Sequence, residues 1–175
     1  MNKILKLTIV LFLVCAIVAG VLGVVNELTK DTIAEQQRIK TEKAYAAVLA
    51  SDGYTEVAFD KDAFPTIGAI SECTNGAGHV VMTTFTGAQG KITMAVGVDT
   101  DYKCTGISII SHSETSGLGS KATDPEWQAQ FAGITDTVTV TKDGGQINAI
   151  TGSTITSRAV CDGVNMARSV VEELG

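Results

Sequence analysis

The chain has 175 residues, with 13 Lys and Arg against 19 Asp and Glu, a formal net charge of −6 and a mean hydropathy of +0.23. That length accommodates one domain plus an appendage. Scattered cations on an acidic chain exclude nucleic-acid binding, which needs several Lys or Arg converging on phosphates.

The hydropathy is high for an acidic soluble domain, so one segment carries the apolar excess. It is Leu7 to Val25, nineteen residues without a charge. A helix of that length reaches about 28 Å, close to the hydrocarbon thickness of a bilayer. Lys3 and Lys6 precede it, while Glu27, Lys30 and Asp31 behind it bring no positive excess. The positive-inside rule therefore puts the N-terminus in the cytoplasm and everything after Val25 outside. A cleaved signal peptide or a lipoprotein signal ending at Cys15 fits less well: the run is long for either, no A-x-A-like site follows, and Val14 is bulky beside Cys15. The reading is a retained anchor over residues 1–26. With Lys3 and Lys6 set aside, the remainder sets eleven cations against nineteen anions, a net of −8.

Residues 27–65 read as a helical stalk and connector. From Leu28 to about Ala50 the sequence is rich in Ala, Glu, Gln, Lys and Arg without Gly or Pro, with apolar Ile33, Ile39, Ala44, Ala47 and Val48, which predicts a helix continuing outward from the anchor. Ser51-Asp52-Gly53 ends it. Tyr54 to Phe64 is irregular, and Pro65 blocks a helix.

Residues 66–175 read as the working domain. Ala69–Cys73, His79–Thr86, Lys91–Val98 and Lys103–Ile110 are rich in Val, Ile, Thr and Phe and separated by Gly-containing turns, which predicts antiparallel hairpins. Asp124 to Phe131 predicts a short helix with Pro near its start. Thr137 to Lys142 predicts a further strand, closed by Asp143-Gly144-Gly145. From Ile155 to Leu174, apolar Ile155, Ala159, Val160, Val164, Ala167, Val170, Val171 and Leu174 recur at three and four residues, the signature of an amphipathic helix. The fold class is α+β: an antiparallel sheet with a C-terminal helix, on an anchored stalk.

Cys15, Cys73, Cys104 and Cys161 form no C-x-x-C pair, so no metal site is expected. Cys73 with Cys104 could oxidise in an exported domain, and small buried thiols are the alternative. His79 and His112 lack the partners of a nucleophilic triad, and no Walker lysine or G-x-G-x-x-G after a strand is present.

Two loops carry more. His112-Ser-Glu-Thr-Ser-Gly-Leu-Gly-Ser-Lys121 gathers hydroxyls, a carboxylate and an ammonium around one leucine set between glycines, where an apolar side chain suits a flat aromatic ligand and a backbone without Cβ atoms can approach one. A long solvated connection would use similar residues. Asn148-Ala-Ile-Thr-Gly-Ser-Thr-Ile-Thr-Ser-Arg158 leads into the last helix. Its hydroxyls can cap that helix, and the same unpaired amides and partial positive charge can hold a phosphate.

At these residues the chain resembles a family. Asn148-x-x-Thr-Gly-Ser-Thr154 resembles the flavinylation motif Asp-x-x-Ser/Thr-Gly-Ala-Ser/Thr of FMN-binding domains, and Glu114-Thr-Ser-Gly-Leu-Gly119 resembles their Glu-Thr-Pro-Gly-Leu-Gly loop. In that order behind one N-terminal anchor, the two motifs resemble the G subunit of the Rnf complex. The C subunit of the sodium-translocating NADH:quinone reductase shares both but is usually longer. The resemblance implies an electron-transfer subunit of a membrane-bound, ion-translocating ferredoxin:NAD⁺ oxidoreductase, without complete activity by itself. It implies covalent FMN on the Thr154 hydroxyl, installed by an extracytoplasmic flavin transferase that splits FAD and releases AMP. It implies ring contacts from Glu114, Thr115, Gly117 and Leu118, with Lys121 as a further candidate. Thr151, Gly152, Ser153, Ile155 and Thr156 would lie nearer the phosphate and ribityl chain. Partners would be the other Rnf subunits, including a second, FMN-bearing one embedded in the membrane. Asn148, Ser153 and Ser116 depart from the family's Asp, Ala and Pro, and Ser153 offers a second acceptor hydroxyl. Other readings are a quinone-reductase C-type subunit, a stand-alone extracytoplasmic flavin carrier, and a non-enzymatic anchored assembly module whose Thr-Gly-Ser-Thr merely caps a helix.

Overall fold

A computed structural model describes residues 3–174. It divides into two units, Met1–Ile39 and Lys40–Gly175. A single helix, α1, runs Lys3–Val48. Within the first unit its large apolar side chains from Ile4 to Ile33, Leu7, Phe12, Val18 and Leu22 among them, are exposed. This is the one helix among the described residues long and apolar enough to cross a membrane.

The second unit is built on a five-stranded sheet in the order β1-β2-β3-β4-β5, every neighbour antiparallel. The strands are β1 Tyr54–Val57, β2 Ile67–Cys73, β3 Gly78–Thr86, β4 Lys91–Asp99 and β5 Cys104–His112. The last four match the predicted runs. β1 corrects the irregular connector expected there: Tyr54 pairs with Cys73 and Val57 with Ile70.

Strand alternation sends successive side chains to opposite faces. On one face Ile70, Val81, Met94, Val96, Val98 and Ile107 pack against α3, Thr154–Leu174, through its buried Val160, Val164, Ala167 and Val171. On the other, Val80, Ala95 and Cys73 meet Ala44, Tyr45 and Val48 from the end of α1. That end is held by side chains: Thr105 donates to the Val48 carbonyl (2.5 Å) and the Tyr54 hydroxyl to the Leu49 carbonyl (2.8 Å). Tyr54 and Tyr45 also meet edge to face at 5.3 Å.

The alternation settles the cysteines. Cys73 lies in one core and Cys104 and Cys161 in the other, all three as free, buried thiols. The sheet stands between Cys73 and Cys104, so the disulfide considered from sequence does not form. Burial pushes the Cys104 thiol up to about 11 and the Cys161 thiol up to about 12.

Thr137–Lys142 is not a strand. Val138 and Val140 are buried, but Val140 makes only an isolated parallel bridge with Ile147, and Thr141–Asp143 is a 3-10 turn ended by Gly144 in the left-handed region (φ 87°). The short helix α2, Pro125–Gln128, continues as a 3-10 turn to Phe131. Phe131 is fully buried and meets Trp127 edge to face at 5.1 Å.

Candidate functional site

The two loops singled out by sequence converge. Leu118 Cδ2 lies 3.2 Å from the point where a Cβ on Gly152 would stand, which seats the Leu118 loop directly over the turn that opens α3. Gly152 takes a positive φ (78°), so that turn favours glycine on both counts.

The turn is held by its own hydroxyls. Ser153 precedes α3, and its carbonyl takes the first helical bond, from the Ser157 amide (3.1 Å). Ser157 Oγ donates to the same carbonyl (3.0 Å) and accepts from the Ile150 amide (2.9 Å). Ser153 Oγ donates to Thr156 Oγ1 (2.7 Å), which donates to Glu114 Oε2 (2.7 Å). Ser153, Thr156 and Ser157 are all buried.

Glu114 joins the loops from below. Its Oε1 accepts from the Gln89 amide (3.1 Å), and the amides of Ala88 and Gly90 bond to the same carboxylate. The β3–β4 hairpin turn thus grips it from one side and Thr156 from the other. A Cβ on Gly87 or Gly119 would overlap that carboxylate, which explains why its immediate walls are glycine. Burial raises the Glu114 pKa, but the Thr156 hydroxyl and the three amides outweigh it, and the carboxyl is held below its ordinary value. The Glu114 amide donates to His112 Nδ1 (3.2 Å).

Thr154 stands differently. Its side chain is only partly buried, and Lys142 Nζ donates to its hydroxyl at 3.1 Å. Beside it Arg158 forms a two-pronged ion pair with Asp143 (2.6 and 2.7 Å). Ile155 is 63% exposed although the helical pattern assigned it to the buried stripe, and Leu118 is 45% exposed. Thr115, Gly117, Lys121 and Thr151 are also at the surface. The Lys121 side chain makes no hydrogen bond or ion pair among the described residues, whereas the Thr115 carbonyl accepts from the Leu118 and Ser120 amides and shapes the loop. Asn148, where the family motif has Asp, is held through its backbone: its carbonyl accepts from Trp127 Nε1 (2.8 Å) and its amide donates to Gln130 Oε1 (2.8 Å).

Lys142, the hairpin amides and the Trp127 contact lie outside both motifs. Lys142 was legible only as the end of an apparent strand twelve residues before Thr154.

The corner therefore offers a hydroxyl beside an ammonium, first-turn amides of a 21-residue helix that lack intrahelical acceptors, and two exposed apolar side chains. Those parts fit a phosphate linked to a flat aromatic group. The sequence model of the FMN-binding domain family matches residues 87–169, which include both loops. The model of the RnfG N-terminal region matches residues 1–48. The chain is 33% identical to the G subunit of the ion-translocating oxidoreductase complex of Methanosarcina acetivorans, covering 95% of this chain and 93% of that one. It is 35% identical to the G subunit of the Na⁺-translocating ferredoxin:NAD⁺ oxidoreductase complex of Acetobacterium woodii, covering 97% and 92%. Among solved structures, the C subunit of the Na⁺-translocating NADH-quinone reductase of Parabacteroides distasonis superposes with a TM-score of 0.53 at 19% identity, covering 78% of this chain and 83% of that one. That likeness is one of fold. The chain belongs to the family of G subunits of Rnf-type ion-translocating oxidoreductase complexes, which are components of redox enzymes.

Proposed function

We propose that this chain is the electron-transfer subunit of a membrane-bound ferredoxin:NAD⁺-type ion pump and carries FMN through a phosphoester to Thr154 Oγ1. When bound, the flavin supplies one- and two-electron chemistry. The observation that carries the reading is the sorting of the hydroxyls around the α3 N-terminus. Ser153, Thr156 and Ser157 are buried and committed to Thr156, Glu114 and the Ser153 carbonyl. Thr154 combines a partly exposed hydroxyl, a helix N-terminus and a neighbouring ammonium. An anion esterified there meets the positive end of the helix dipole and the first-turn amides.

Leu118 and Ile155 offer the ring an apolar surface, and Glu114 keeps the two loops in register from beneath. Covalent attachment suits a domain outside the cell, where a lost cofactor would be diluted without limit. The uncharged span of α1 with Lys3 and Lys6 before it supports a cytoplasmic N-terminus and an extracytoplasmic FMN domain. Membership of the family supports other Rnf subunits as partners; the reading adds to them a second, FMN-bearing subunit in the membrane and an extracytoplasmic flavin transferase for maturation. The test is co-production of the full chain with a flavin transferase and inspection of the denatured band under ultraviolet light. A fluorescent band that disappears in Thr154→Ala is expected. A dark wild-type band, or fluorescence that survives the substitution, rejects the linkage.

A further inference from the structure

Lys142 is the cation nearest the candidate acceptor, and the fold braces it there. The 3-10 turn Thr141–Asp143 that carries it is fastened at both ends. Behind it the Asp143 and Gly145 amides donate to the carbonyl of Val140 (2.8 and 3.1 Å), whose side chain is 1% exposed in the core. Ahead of it the Asp143 carboxylate takes both Nε and Nη2 of Arg158, one turn into α3 from Thr154. The same ion pair settles the other nearby charges. Arg158 is neutralised by Asp143, while Lys142 has no ion pair among the described residues and points its ammonium at a neutral hydroxyl. An ammonium carries three donors, and Thr154 uses one, so two remain for an anion. A lysine braced in this way beside a helix N-terminus, within electrostatic reach of Asp143 but without an ion pair to it, keeps its remaining donors available for a phosphate.

We propose that Lys142 is the cationic partner of the phosphate carried by Thr154, assisting its attachment and holding the product. The inference rests on the reading of Thr154 as acceptor. In the transfer, the Thr154 Oγ1–phosphorus bond forms as the bond from that phosphorus to the bridging oxygen of FAD breaks, and AMP leaves with that oxygen. The hydroxyl proton passes to a base of the transferase, and no electron changes hands. Lys142 does not take that proton, because its Nζ is the donor towards Oγ1. It donates to Oγ1 while negative charge gathers on the oxygens around phosphorus, and afterwards it faces a phosphodiester of charge −1. Charge-assisted hydrogen bonds of this kind are the strong ones.

The experiment uses the full chain in detergent with a purified flavin transferase and FAD, following covalent fluorescence of the denatured band with time and the loaded peptide by mass spectrometry. Thr154→Ala, Lys142→Ala and Lys142→Arg are compared with wild type, and thermal unfolding of each unloaded variant is recorded. Loss of one donor at a partly exposed site should slow loading by about 10-fold in Lys142→Ala, less than the cost of a donor in an enclosed oxyanion site. Lys142→Arg should recover most of the rate, with unfolding midpoints unchanged. A dark Thr154→Ala with Lys142→Ala loading at the wild-type rate overturns the role of Lys142 and leaves the acceptor intact. Loading of Thr154→Ala overturns the acceptor and this proposal with it. Equal slowing in Ala and Arg variants that also melt early makes Lys142 a structural residue and overturns the proposal.

Discussion

The two long helices are made of similar apolar residues and use them in opposite ways. In α3 the apolar positions recur at three and four residues, and Val160, Val164, Ala167 and Val171 disappear against one face of the sheet. In α1 the run from Leu7 to Val25 is apolar all round, and every one of its large side chains is exposed. A one-sided stripe is satisfied by a partner within the chain, whereas an all-round one requires an apolar medium outside it. Periodicity, rather than hydrophobic content, tells a core helix from a helix with the pattern of a membrane span, and here both patterns occur in one chain.

The contrast is broken most severely by putting the same charge into each helix. Val164→Asp buries a carboxylate where the native side chain is 0% exposed and should cost about 4 kcal/mol or more, enough to unfold the sheet domain in a circular-dichroism melt. Val18→Asp should leave the melting of residues 40–174 unchanged and instead shift the chain out of the membrane fraction on sedimentation. Equal effects on melting would mean that the two helices are not separate problems.

A second, smaller break addresses the end of α3. Glu114→Gln replaces a carboxylate oxygen by a donor facing amides or the Thr156 hydroxyl, and leaving those donors unpaired should cost about 1–3 kcal/mol in urea unfolding. The same residue has a pH signature. Because its folded pKa is lowered, its contribution is complete above the ordinary carboxylate range and fades as pH falls through the folded value. Wild type should lose stability on acidification more steeply than Glu114→Gln, and parallel profiles would remove Glu114 from the network.

The smallest effect concerns reactivity rather than folding. With Cys104 pushed up to about 11 and Cys161 up to about 12, both remain thiols at neutral pH and should resist maleimide until the domain is unfolded, when all become reactive.

Much of this architecture was legible in the sequence because the elements involved are long and strongly patterned. Four strands and both long helices stand out in this way. Tyr54–Val57 escaped because it is a four-residue edge strand with Thr55 and Glu56 exposed, and its partner β2 lies beyond a loop containing Pro65. Thr137–Lys142 misled for the opposite reason. Val138 and Val140 alternate as in a strand, yet each is buried in a loop that finds only one bridge. Motif resemblance nominated the two loops, and the geometry brings Leu118 and Gly152 together. Lys142, Gln89 and Trp127 act across 12, 25 and 21 residues, distances at which a local pattern carries no signal.

The strand order follows the chain, so each strand can pair with its predecessor as it appears, and contacts close over short loops. The corner around Thr154 is different. It draws on the hairpin at residues 87–90, the loop after β5 and the turn at residues 141–143, and it is completed only when α3 has docked. A maturation enzyme that recognises this corner as a folded surface would therefore read folding history along with sequence. It would pass over chains whose last helix is unseated and mark with a cofactor only those that have finished.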